Sequence, residues 1–220
     1  MSQIKKESMD TNDIINAITD ALVALRNYQS DLQDENHLKP NKFKLLNSDI
    51  EIPITCTSVE GQVDPACKLP DPNELPAEVR GFYKIDTGLT NIYATQHTLQ
   101  VGVQACIYSH LGESKTVTVS GMSAMKFNTT RPSSPTSQHN YGKAFDVKLQ
   151  GKMMIKPDGQ ANPDYDQLAC AYLCAYCVEA GASKVFFSDQ QVVDAVNKAT
   201  GKSVCQKIEN HKNHIHMDCR

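Results

Sequence analysis

The sequence predicts an α+β fold, with helices mixed among antiparallel-capable strands and a helical extension at the N-terminus. Three observations lead there. Apolar residues recur at helical spacing in two stretches, around 14–25 and 99–107. Short β-branched or apolar runs, at 50–55, 116–120, 144–149, 184–188 and 214–218, are distributed between and beyond them. The chain has 220 residues, 40% of them apolar and 21% charged, which suits a globular chain with its own core.

Asp10 or Thr11 is placed to cap a first helix beginning near Asn12, with Ile14, Ile15, Ile18, Ala21, Leu22 and Leu25 along its apolar stripe. The pattern fades by Gln33, and Pro40 marks a boundary. An amphipathic helix must pack on something, either the rest of this chain or a protein partner. Residues 50–55 read as a short strand. Residues 57–80 carry Pro65, Pro70, Pro72 and Pro76 with few large apolar groups, and read as a loop or linker. That composition shift divides the chain into an N-terminal extension, 1–80, suited to docking or delivery, and a main domain, 81–220.

Leu99, Val103, Cys106 and Ile107 mark a second helix within 95–111. The β-branched run 116–120 is a strand that Gly121 ends, and 122–138, rich in Ser, Thr and Pro, is a long loop. Residues 144–149 form a strand containing Asp146. A helix rich in small residues follows over 166–180, stopped by Gly181. Then come a strand at 184–188, a helix over 190–200 capped by Asp189 and stopped by Gly201, and a last strand at 214–218.

The formal net charge is -3, so nothing in the charge balance recruits nucleic acid or an anionic membrane. No apolar stretch is long enough to span a membrane. Residues 1–12 are polar and lack an apolar core, so a classical secretory signal is not expected, and action outside the cytoplasm would need another route. Without such a signal the eight cysteines read mostly as reduced, buried thiols. Cys56 and Cys67, flanking a polar loop with Gly and Pro, are the best-placed pair for a bridge if the compartment is oxidising.

Two segments carry chemistry. Ser137-Gln138-His139-Asn140-Tyr141-Gly142-Lys143-Ala144-Phe145-Asp146 supplies an imidazole and a carboxylate, and His214-Ile215-His216 supplies two more imidazoles. Three protein ligands with one position left open is the composition of a catalytic zinc site. A turn at Gly142 can fold His139 back over the strand face bearing Asp146. Residues two apart on a strand share a face, so His214 and His216 can look into one site. One of that pair can bind zinc while the other stands beside the bound water as proton acceptor and donor. His211, on a Lys- and Asn-rich loop, reads as a solvent-exposed bystander.

Ser137-x-His139-x-x-Gly142-x-Ala144-x-Asp146, followed by His214-x-His216, resembles the LAS zinc metallopeptidases, and within them the D-alanyl-D-alanine carboxypeptidases and L-alanyl-D-glutamate endopeptidases. The likeness covers residues 85–220. It implies a small antiparallel sheet flanked by helices, with one zinc ion per chain held on the sheet by His139, Asp146 and His216. It also implies His214 as catalytic base, a substrate-contacting or supporting Ser137, and peptidoglycan stem peptides as substrate. Made without a signal, such a protein would act on the bacterial wall as a phage lysin or virion component, or as an exported effector.

One departure stands out. Many members of that family carry Ser-Gly-Tyr-Arg before the long loop, the arginine facing the substrate, whereas here the segment is Ser120-Gly121-Met122-Ser123. Lys126 or Arg131 would have to supply the cation from the loop. Its loss at position 123 points from carboxypeptidase towards endopeptidase. Two rival readings follow. Cys170-x-x-x-Cys174-x-x-Cys177 has the spacing of a radical S-adenosylmethionine cluster motif. However, it lies late in the chain and reads as one buried helix face. The other rival is a non-catalytic, zinc-holding structural or binding protein on the same fold. A base at His214 argues for catalysis, since a structural site needs none.

Overall fold

The structure is a computed structural model that describes residues 9–30, 42–45, 50–127 and 136–220. It is an α+β fold built on one six-stranded sheet. Along the chain come α1 (Thr11–Ser30), β1 (Lys42–Lys44), β2 (Glu51–Pro53), β3 (Thr55–Thr57), β4 (Ala66–Lys68), β5 (Tyr83–Ile85), β6 (Tyr93–Ala94), α2 (Gln96–Glu113) and β7 (Val117–Gly121). The second half adds β8 (Ala144–Lys148), α3 (Gln167–Glu179), β9 (Lys184–Phe187), α4 (Gln190–Thr200), β10 (Cys205–Lys207) and β11 (Ile215–Asp218). Among the described residues no helix is long and apolar enough to cross a membrane.

The main sheet has the order β10-β9-β11-β8-β7-β5. Its centre is antiparallel, but both outer pairs, β10 with β9 and β5 with β7, are parallel. The expected purely antiparallel sheet is therefore corrected to a mixed one. The cause is connectivity: α4 links β9 to β10 and α2 lies between β5 and β7, and a helical crossover returns the chain in the same direction.

Alternation along the central strands separates two faces. Phe145 and Val147 of β8, Val185 and Phe187 of β9, and Ile215 and Met217 of β11 are fully buried in the hydrophobic core that the helices also feed. Their neighbours Asp146, Phe186, His216 and Asp218 point to the other face. Asp189 caps α4 by accepting from the N–H groups of Gln191 and Val192, as its position predicts, and Asp166 caps α3 by accepting from Ala169 N–H.

The apolar stripe of α1 lies on the chain itself. Ile14, Ile18, Leu22 and Leu25 join the same core, and Arg26 grips Glu179 of α3 through two hydrogen bonds of 2.9 and 3.0 Å. The run 50–55 is two strands, not one: buried Ile54 separates β2, paired with β1, from β3, paired with β4. The expected linker 57–80 contains β4, whose Cys67 is bridged to Cys56 of β3 across the β3–β4 pair. β4 also pairs with β6, so segments from either side of residue 80 share a sheet. Strands this short carry too few residues to show a period of two.

Because Ile18 is fully buried in that core, Ile18→Ala should destabilise the chain by about 2–5 kcal/mol. Chemical denaturation followed by circular dichroism measures it, and a loss below about 1 kcal/mol would mean that α1 is not part of the cooperative unit.

Candidate metal centre

Asp146 stands on β8 with His216 of β11 as its register partner on one side and Gly121 of β7 on the other. Gly121 is required there: a Cβ at that position would lie 2.1 Å from Asp146 Oδ2. His139 comes from a 3-10 turn, Gln138–Tyr141, which Gly142 ends in the left-handed region at φ 69°. A side chain at Gly142 would also strike the ring of Phe127, 2.3 Å away. The turn is pinned from below. Thr95 N–H donates to the Gly142 carbonyl, and the buried Ser123 hydroxyl donates to the His139 carbonyl. Position 123 thus braces the turn that carries His139 and does not line the cavity over the site.

The side chains converge tightly. His139 Nε2 lies 3.1 Å from Asp146 Oδ2, and His216 Nδ1 lies 2.8 Å from Asp146 Oδ1. The far nitrogen of His216, Nε2, meets Asp218 Oδ1 at 2.9 Å. His214 Nε2 is 4.0 Å from Asp146 Oδ1, and its Nδ1 donates to Asn213 Oδ1 at 2.7 Å. His139 and His216 are nearly inaccessible, whereas His214 keeps 24% of its side chain exposed.

Burial alone would raise the Asp146 carboxyl, but the charges and hydrogen bonds of His139 and His216 outweigh it and hold the group well below the usual carboxylate range. Burial would lower the His216 imidazole, yet hydrogen bonds to Asp146 and Asp218 on its two nitrogens lift it to about 9. Without a metal, a proton therefore sits on Nδ1, between the ring and Asp146. His214 and His211 are both lowered, chiefly by burial, His211 to about 4.

These residues fit a metal ion. Ligands bonded at about 2.1 Å in a tetrahedral site stand roughly 3.4 Å apart. The His139, Asp146 and His216 donor atoms all lie within 4.8 Å of one another, the two shortest pairs being the contacts above. A metal would displace the His216 Nδ1 proton, and Asp218 would then hold the ring from behind in a carboxylate–histidine–metal chain. Asp218 was missed in the sequence; its place two residues beyond His216 on the same strand is the signal that could have found it.

Other expected residues distribute unevenly. Ser137 lines the open cavity of about 560 Å³ over the site, together with His214. Lys126 is exposed and lies outside that lining, and Arg131 falls outside the described residues. The bystander reading of His211 is corrected. Its backbone N–H donates to Ser188 Oγ at 3.0 Å, and its ring packs 4.7 Å from that of His214, within the same cavity. Cys170, Cys174 and Cys177 are fully buried on α3 with thiols pushed up by burial. They form no metal-holding group among the described residues, so they are core thiols.

A scan against protein-family models and a search of curated proteins return no match for this chain. The chemistry therefore rests on the geometry above.

His139→Ala or Asp146→Ala should abolish stoichiometric zinc retention, measured by elemental analysis after dialysis. Asp218→Asn should keep the fold but weaken zinc affinity ~10–100-fold in a competitive chelator titration. Unchanged affinity would remove Asp218 from the metal's support.

Proposed function

We propose that this chain is a zinc-dependent peptidase that hydrolyses peptide bonds in peptidoglycan stem peptides, acting as an endopeptidase in cell-wall lysis. One observation carries the reading. The segments that resemble the LAS zinc metallopeptidases meet on the open face of one sheet, with His139, Asp146 and His216 converging and His214 beside them. Zinc would be held by His139 Nε2, Asp146 and His216 Nδ1. When bound, it supplies a Lewis acid and brings the pKa of a coordinated water towards 7.

The chain's own residues do the rest. His214 donates Nδ1–H to Asn213, which leaves the Nε2 lone pair free on the cavity side. That atom takes a proton from the attacking water and returns it to the leaving amine. Phe186, against the His216 ring at 5.5 Å, screens one flank of the site from water. The cavity is open along the sheet, which suits a chain segment passing through. Ser123 in place of the family arginine supports internal over terminal cleavage. The Cys56–Cys67 bridge fits action outside the reducing cytoplasm, as for a phage lysin or an exported effector.

The rival, a zinc-holding binding module, draws on the same Ser123 and predicts metal without turnover. Isolated peptidoglycan incubated with the protein, with and without a chelator, separates the two. Chelator-sensitive release of peptide fragments, identified by mass spectrometry, is expected, and intact wall from zinc-loaded protein would favour the binding module. His214→Ala should retain zinc and lose at least ~10²-fold in rate; turnover near wild type would remove His214 from the mechanism.

A further inference from the structure

The turn that carries His139 rests on a hairpin from the first third of the chain. β3 and β4 have three residues each, too few to hold a hairpin together unaided. The Cys56–Cys67 bridge clamps them at the middle pair of their register. Residues 58–65 are the loop that the clamp closes. Two routes lead from this hairpin to the metal-binding turn.

The first route runs through the backbone. Cys67 is the β4 partner of Ala94 in β6. Tyr93 of β6 exchanges both backbone hydrogen bonds with Ser123, at 2.9 and 3.0 Å, and the Ser123 hydroxyl holds the His139 carbonyl. The second route starts in the loop. Gln62 donates from Nε2 to the Asp64 carbonyl at 2.8 Å, which fixes its amide, and its Oε1 accepts from Phe127 N–H at 2.7 Å. The buried Phe127 ring lies against Gly142, the residue that ends the His139 turn. Asp146 and His216 are locked in the β8–β11 ladder, so His139 is the ligand whose position depends on these supports.

We propose that the Cys56–Cys67 hairpin is a redox-controlled brace for the metal centre: the closed bridge lets Gln62 and Ser123 hold the His139 turn in its metal-binding position, and opening the bridge releases the turn and weakens zinc binding. Gln62 is then a positioning residue that acts through Phe127. The inference rests on the metal centre and not on the choice of substrate. Opening breaks one S–S bond. A dithiol supplies two electrons and closes to a cyclic disulfide, and its two protons end on Cys56 and Cys67. Attack falls on the Cys56 sulfur, since Cys56 is partly exposed and Cys67 is fully buried. Closure is the reverse, with the electrons passing to a small-molecule disulfide. The chain is therefore a weak zinc binder where thiols are kept reduced and a tight one where the bridge forms.

The test reads zinc affinity and amide exchange, not turnover. The full-length chain is compared with its bridge closed and after reduction by a water-soluble phosphine, which takes oxygen from water to become its oxide. Alkylation and mass spectrometry count the bridge, and the six free cysteines, all buried, are common to both forms. In a competitive chelator titration the bridged chain should bind zinc at least ~10-fold tighter than the reduced one, the scale of losing support for a metal ligand. In the metal-free chain, reduction should speed hydrogen exchange at 138–142 while β9 and β11 stay protected. The C56S/C67S variant should match the reduced chain and ignore the phosphine. Gln62→Ala, with its bridge intact, should lose zinc affinity several-fold. Equal affinity in the two redox states, or a Gln62→Ala chain that binds zinc like the wild type, overturns the brace. Exchange that rises across β9 and β11 as well makes the bridge a general staple and overturns it too. No zinc uptake by the bridged chain overturns the metal centre, whereas the exchange result, read without metal, still decides the brace.

Discussion

The site depends on one pairing register, His216 opposite Asp146 in the β8–β11 ladder. Strand side chains alternate with a period of two, so this register decides which residues meet and which face they share. It sends Phe145, Val147, Ile215 and Met217 into the helix-covered core, and Asp146, His216 and Asp218 to the open face. A slip by one residue would bury the ligands and expose the core, so the hydrophobic pattern that stabilises the sheet also fixes the chemistry.

That arrangement carries an electrostatic demand. A carboxylate with only 15% of its side chain exposed costs several kcal/mol unless it is paired. Asp146 answers by sharing its oxygens between two imidazoles, and His216 in turn sits between two carboxylates. The site without a metal is thus a chain of charge-assisted hydrogen bonds from His139 through Asp146 and His216 to Asp218, with a proton where a metal could stand. Gly121 supplies the room and Ser123 the anchorage beneath. Ser123, whose hydroxyl holds the His139 carbonyl, thus has a local structural task.

Much of this was legible in the sequence because it rests on local signals. Helical periodicity marked α1 and α2, Asp189 marked the start of α4, and the spacing of His139, Gly142, Asp146, His214 and His216 marked the residues that converge. What stayed hidden depends on tertiary contact. β4, β5, β6 and β10 are two or three residues long and acquire their identity only from partners. The parallel edges follow from crossovers that no single segment announces. His211 has the composition of a loop residue, yet the hydrogen bond from its backbone to Ser188 draws its ring into the cavity.

On the proposed function, His139, Asp146 and His216 bind one zinc ion and leave His214 outside its coordination. X-ray absorption at the zinc edge, on the wild-type chain and on His214→Ala, tests it directly. One ion per chain is expected, with two imidazole nitrogens and oxygen donors at about 2.0–2.2 Å, and the same spectrum from both proteins. A third imidazole in the wild type that disappears in the variant would make His214 a ligand and remove it from the role of base.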